Sequence, residues 1–167
     1  MSYLWIANWQ DADRRSATAG EAMDPGMVVK VSADADGGRF LMKMGDGDDA
    51  QVTAKKYAVV FKVSAKADTV ETTTVPAALG SRLLTIVSGD AVIEVRKGAI
   101  IEYSADLLDD SLNPDEGGSL PSAGDALEIK GSKWAEVGSG EIESVDGVAG
   151  MCYRSFPATN RVLVELV

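Results

Sequence analysis

Apolar positions along this chain come in short runs separated by small polar residues. The densest series spans 83–103 (LLTIVSGDAVIEVRKGAIIEY), where apolar runs at 84–87, 91–95 and 99–103 are split by Ser88-Gly89-Asp90 and Arg96-Lys97-Gly98. β-Branched residues at this density suit a pleated, half-buried surface better than a helix. Each break carries a glycine, which takes the positive φ that tight hairpin turns need. The pattern predicts a three-stranded meander at the centre of a β-barrel or β-sandwich.

The rest of the chain repeats the theme. Runs at 27–31 and 39–44 flank the polar break 32–38 and predict a hairpin. A strong strand is expected over 57–63, and 69–75 is threonine-rich and β-prone before Pro76. Residues 126–130 (ALEIK) alternate and are expected to be half-buried. Short strands follow at 134–137 and 141–145, and 148–156 with 161–167 predict a closing hairpin around Pro157-Ala158-Thr159-Asn160. Ten or more short strands at this spacing predict an all-β fold: a single-domain barrel or sandwich of short antiparallel strands.

Two segments stand apart. Residues 1–26 carry an aromatic cluster, Tyr3, Trp5 and Trp9, then turn polar and alanine-rich, with a short helix expected over 11–22. They are read as an N-terminal arm ahead of a 27–167 β-domain. The aromatics either fold back onto the core or anchor on a neighbouring subunit, a role for which Trp and Tyr are favoured. Residues 104–124 form a long polar surface loop with Asp106, Asp109, Asp110, Asp115 and Glu116. Loops of that length are often functional or disordered.

Charge and composition narrow the partners. The 167 residues carry a formal net charge of −10. That disfavours nucleic acid, whose binding rests on Lys and Arg displacing counterions, and anionic lipid likewise. No run approaches a membrane span, and the opening residues lack the basic and apolar regions of a signal peptide, so a protein made and used in the cytosol is expected. The lone Cys152, between Met151 and Tyr153, is read as a small buried hydrophobe.

Candidate chemistry is sparse. There is no histidine, which removes the usual zinc ligand set and every Ser-His or Cys-His pair. No phosphate-binding or dinucleotide loop is present, and Gly138-Ser139-Gly140 reads as a turn. Nothing in the spacing selects a glycosidase-like pair from the 26 acidic residues. The stretches 34–37 and 46–49 set carboxylates beside glycine, as calcium loops do, but neither completes an EF-hand pattern, and Asp and Gly are also ordinary turn residues. No catalytic residue, cofactor or metal is expected.

Four stretches carry a resemblance: Ser88-Gly89-Asp90-Ala91 leading into the β-meander, Pro121-Ser122-Ala123-Gly124-Asp125-Ala126-Leu127 before a strand, Gly147-Val148-Ala149-Gly150, and the closing Arg161-Val162-Leu163-Val164-Glu165-Leu166. In these the chain resembles the capsid decoration (cement, or head-stabilising) proteins of tailed bacteriophages. The resemblance implies a β-body on the outer surface of a phage head, assembled in the host cytoplasm. Such a body acts as a homo-oligomer, dimer or trimer, and bridges neighbouring major capsid proteins. Under it, Tyr3, Trp5, Trp9, Asp109, Asp110 and Asp115 are the expected partner contacts. Glu94, Arg96, Lys97 and Glu102 join them if the 83–103 stretch is exposed on one face. The alternative is a receptor- or carbohydrate-binding domain of a tail or fibre, for which Trp134 is the one isolated aromatic platform, unless it is a core residue. A carboxylate-based hydrolase is the third reading.

Overall fold

A computed structural model describes residues 4–8, 10–33, 36–45, 47–54, 56–62, 86–139 and 149–167. Among them, in chain order, lie β1 (Leu4–Ile6), β2 (Arg14–Ala19), β3 (Val28–Ala33), β4 (Arg39–Lys43), a one-turn helix α1 (Asp49–Thr53), β5 (Tyr57–Lys62), β6 (Ala91–Val95), β7 (Ile100–Ser104), β8 (Ala126–Lys130), β9 (Lys133–Glu136), β10 (Gly150–Phe156) and β11 (Arg161–Leu166). The fold is all-β. Five strands close into a barrel in the order β2-β4-β3-β5-β6, and six form an antiparallel sheet in the order β1-β7-β11-β10-β8-β9. Every barrel pairing is antiparallel except β2 with β4.

The two expected hairpins form. β3 pairs with β4 from Val29↔Lys43 to Ala33↔Arg39, and β10 pairs with β11 around a 3-10 turn at Pro157–Thr159. The expected strands at 57–63, 126–130 and 134–137 are present as β5, β8 and β9. Residues 69–75 and 141–145 lie outside the described residues.

The meander expected over 83–103 does not form. β6 is flanked by β2 and β5, whereas β7 is flanked by β1 and β11, so the two strands belong to different sheets. Residues 83–85 of the first expected run lie outside the described residues, and Ile86 forms an isolated bridge to Met23. The break between β6 and β7 is a crossing point rather than a hairpin turn. Gly98 takes φ +86° there, the Arg96 N–H donates to Asp13 O (3.0 Å), and the Gly98 N–H donates to Leu166 O (2.7 Å). One end of this link is thereby tied to the barrel's entry and the other to the sheet's last strand.

The helix expected over 11–22 is replaced by β2. The segment Arg-Arg-Ser-Ala-Thr-Ala has no apolar stripe at helical spacing, and pairing with β6 from Arg14↔Val95 to Thr18↔Ala91 decides its conformation. The described part of 1–26 is therefore not a separate arm. β1 pairs with β7 in the sheet and β2 closes the barrel.

Two apolar clusters hold the fold. One fills the barrel: Ala19, Met23, Val29, Leu41, Val60, Ile86 and Val92. The other joins the barrel wall to the inner face of the sheet and includes Val28, Val59, Val95, Ile101, Trp134, Val162 and Val164. Adjacent residues such as Val28 and Val29, or Val59 and Val60, thus enter different cores. Buried polar groups pin the layers together. The Tyr103 hydroxyl donates to Gly26 O (2.9 Å) and accepts from Trp134 Nε1 (3.1 Å). The Tyr57 hydroxyl lies between the carbonyls of Ala149 and Val167. Ser132 Oγ exchanges hydrogen bonds with Met44 N and Met44 O (2.8 and 3.1 Å).

Candidate functional site

Alternation along a strand aims the first candidate side chain. β1 places Leu4 and Ile6 toward the core, so Trp5 between them points out from the sheet and is 57% exposed. It borders a shallow depression of about 550 Å³ formed with Ile6, Ala7, Asn8, Gln10 and Asp11. Tyr3 and Trp9 lie outside the described residues.

Register extends this surface across the sheet. Trp5 stands opposite Glu102, Glu102 opposite Leu163, and Leu163 opposite Arg154. A second row runs Ile100, Glu165, Met151, Ala126. The ladder between β10 and β11 slips between Cys152 and Arg154, and this bulge leaves Tyr153 unpaired and 54% exposed. On this face Arg161 meets Glu102 (3.4 Å), and the Arg154 guanidinium sits 4.8 Å from the centre of the Phe156 ring. The outer face is a broad, mixed apolar surface with two exposed aromatics.

The acidic candidates occupy another place. The 104–124 segment makes three 3-10 turns and buries Leu108 and Leu112. Asp109 caps the second turn by accepting from Ser111 N (3.1 Å), and its other oxygen lies 3.9 Å from Lys130 Nζ. Asp110 and Asp115 are exposed. The segment covers the edge of β9: the Asp109 N–H donates to Trp134 O (2.9 Å) and Ser111 Oγ accepts from Glu136 N (3.0 Å). Since β1 and β9 are the two ends of the sheet's strand order, the structure does not bring Trp5 together with Asp109, Asp110 and Asp115.

Glu94 corrects an expectation. The sequence places it with Arg96, Lys97 and Glu102 as an outward charge, yet it is fully buried, on the same side of β6 as Val92 in the barrel core. Arg39 forms an ion pair with it, and Glu94 Oε2 and Arg39 Nε have no hydrogen-bond partner. A signal was present: the Glu94 position shares the parity of the inward Val92 in a strand whose flanking residues are also apolar. Above the pair opens a groove of about 460 Å³ whose lining includes Arg39, Lys56 and Arg96.

The remaining candidates are engaged structurally. Trp134 is buried and hydrogen-bonded, so it is a core residue rather than a platform. Cys152 is buried, and burial pushes its thiol pKa up, away from thiolate reactivity. Of the calcium-like stretches, Asp34 and Asp46 lie outside the described residues. The Asp48 carboxylate accepts from Lys30 Nζ (3.1 and 3.2 Å) and Gly45 N (2.9 Å). Burial raises the Asp48 pKa, but those donors outweigh it and hold the carboxyl below its ordinary value. Among the described residues no group of three or more His, Cys, Asp or Glu side chains converges as a metal site, and no helix is long and apolar enough to cross a membrane. No protein-family model matches the chain, and no curated protein matches it.

Proposed function

We propose that this protein is a structural virion component, a capsid decoration protein that binds the outer surface of a tailed-phage head and bridges neighbouring major capsid proteins. The observation that carries the reading is the outer face of the six-stranded sheet. Trp5 at its edge and Tyr153 at its bulge are exposed beside half-buried Ile100, Leu163, Met151 and Phe156. Large aromatics on a rigid backing are suited to anchoring in a partner's pockets. The rigid backing is the barrel, joined to the sheet through a shared apolar core and the hydrogen bonds of Tyr57, Tyr103 and Ser132. A net charge of −10 favours a partner surface that carries positive charge. The resemblance in the turn and strand stretches described above points to the same role. The test is co-sedimentation of the purified chain with emptied phage heads. Saturable pelleting at a fixed ratio to the major capsid protein is expected, and a chain that stays in the supernatant at every concentration would remove the proposal.

A further inference from the structure

We propose that the basic groove at the far end of the β3–β4 hairpin receives the 104–124 segment of a second copy of this chain, in a head-to-tail contact held by charge. This goes beyond the decoration reading and stands without it.

Positive charge is concentrated at the groove. Its lining includes Arg39, Lys56 and Arg96, and an adjoining depression that shares Arg96 adds Arg15 and Lys97 beside Asp13 and Tyr57. Five of the chain's 16 cationic residues thus meet in one place on a protein of net charge −10. Arg15 is matched by Asp13 and Arg39 by Glu94, whereas Lys56 and Lys97 are exposed and make no ion pair with a described residue.

The complement is the 104–124 segment, with five acidic residues and no Lys or Arg. Asp110, Asp115 and Glu116 are exposed and form no ion pair with a described residue. The segment is held in shape before any partner arrives. Asp109 and Asn113 cap successive turns, Leu108 and Leu112 are buried, and a Cβ at Gly118 would collide with the backbone of Asp110 and Ser111. A preorganised acidic ridge loses little entropy on docking.

The ridge cannot reach its own groove. Asp109 is tied to Lys130, beside the β8–β9 turn whose Ser132 contacts Val28 and Met44, at one end of the β3–β4 hairpin. The groove lies at the other end, at Ala33 and Gly37. Five strand steps of about 3.4 Å separate those ends by roughly 17 Å. Complementary surfaces on different sides of one chain make a heterologous contact, which closes into a ring or runs on as a chain of copies.

Sedimentation equilibrium of the full chain tests this in the absence of any capsid. At low salt the mass should exceed that of the 17.5 kDa monomer. It should fall to the monomer near 1 M salt, where the screening length is about 3 Å. Lys56→Glu with Lys97→Glu should raise the dissociation constant at least about tenfold, and so should Asp110→Lys with Asp115→Lys, because each sets like charges face to face. Mixed in equal amounts, the two variants present opposite charges across every mixed contact and should associate again. All four positions are exposed, and circular dichroism verifies that each variant is folded. A wild-type chain that is monomeric at low salt, a variant that associates as the wild type does, or a mixture that stays monomeric would each overturn the proposal.

Discussion

The barrel and the six-stranded sheet handle the same residue types in different ways. β5 has its first four residues buried in succession, because one side faces the barrel core and the other faces the sheet. β11 alternates half-buried and buried along its whole length, because its outer side faces solvent. Charge follows the same division. Glu94 on β6 is fully buried and needs Arg39 beside it, while Glu102 on β7 lies on the open face with Arg161. A strand covered on both sides reads as a continuous apolar run, and a polar residue within it is either paired or costly. A strand covered on one side reads as alternation, and its outward charges are nearly free to change.

Substitutions can set these two carboxylates against each other. Arg39→Met leaves the Glu94 carboxylate buried without its partner, and breaking a buried pair in this way costs about 3–5 kcal/mol. Urea denaturation should show that loss. Arg39→Met combined with Glu94→Leu should recover most of it, and a double variant as unstable as the single one would show that the pair is not what holds the barrel end. Gly150→Ala comes next. Its Cβ would lie 2.5–2.6 Å from the Trp134 ring on the inner face of the sheet, so a loss of about 1–3 kcal/mol from overpacking is expected in the same assay.

The joint between barrel and sheet should fail in alkali. Burial pushes the Tyr57 pKa up to about 12 and raises that of Tyr103 as well. A pKa raised in the folded state means the neutral phenol is favoured there. The stability linked to it is complete below the unfolded-state value of about 10 and is lost as pH rises through the folded value. Melting temperature measured against pH should decline between about pH 10 and 12. Tyr57→Phe should flatten that decline while lowering stability at neutral pH, and an unchanged profile would contradict the burial argument. The smallest effect belongs to the open face. Glu102→Gln removes a partly exposed ion pair and should shift stability by about 0–1 kcal/mol in the urea assay.

What was legible in the sequence divides along physical lines. The β3–β4 and β10–β11 hairpins were readable because a local turn fixes the pairing of neighbouring runs. The 83–103 stretch misled for the converse reason. Its strands and its glycine were readable, but Gly98 serves a crossing between sheets, and the partners of β6 and β7 come from residues such as Arg14 and Arg161, far away in the chain. β2 carried no apolar period, so only its place between β4 and β6 makes it a strand. At the candidate site, the outward aim of Trp5 follows from alternation once β1 exists. Tyr153 was hidden because a bulge obeys no period, and the basic groove because its residues come from β2, β4 and the segments after α1 and β6.

We propose the open face of the sheet as the docking surface and the barrel as its support. Docking through this face is tested by the occupancy on emptied heads of the Trp5→Ala, Tyr153→Ala double variant, measured beside its thermal stability. Both side chains are more than half exposed, so melting should match the wild type while the concentration needed for half-occupancy rises at least about tenfold. A variant that melts normally and fills the heads as the wild type does would rule out docking through this face.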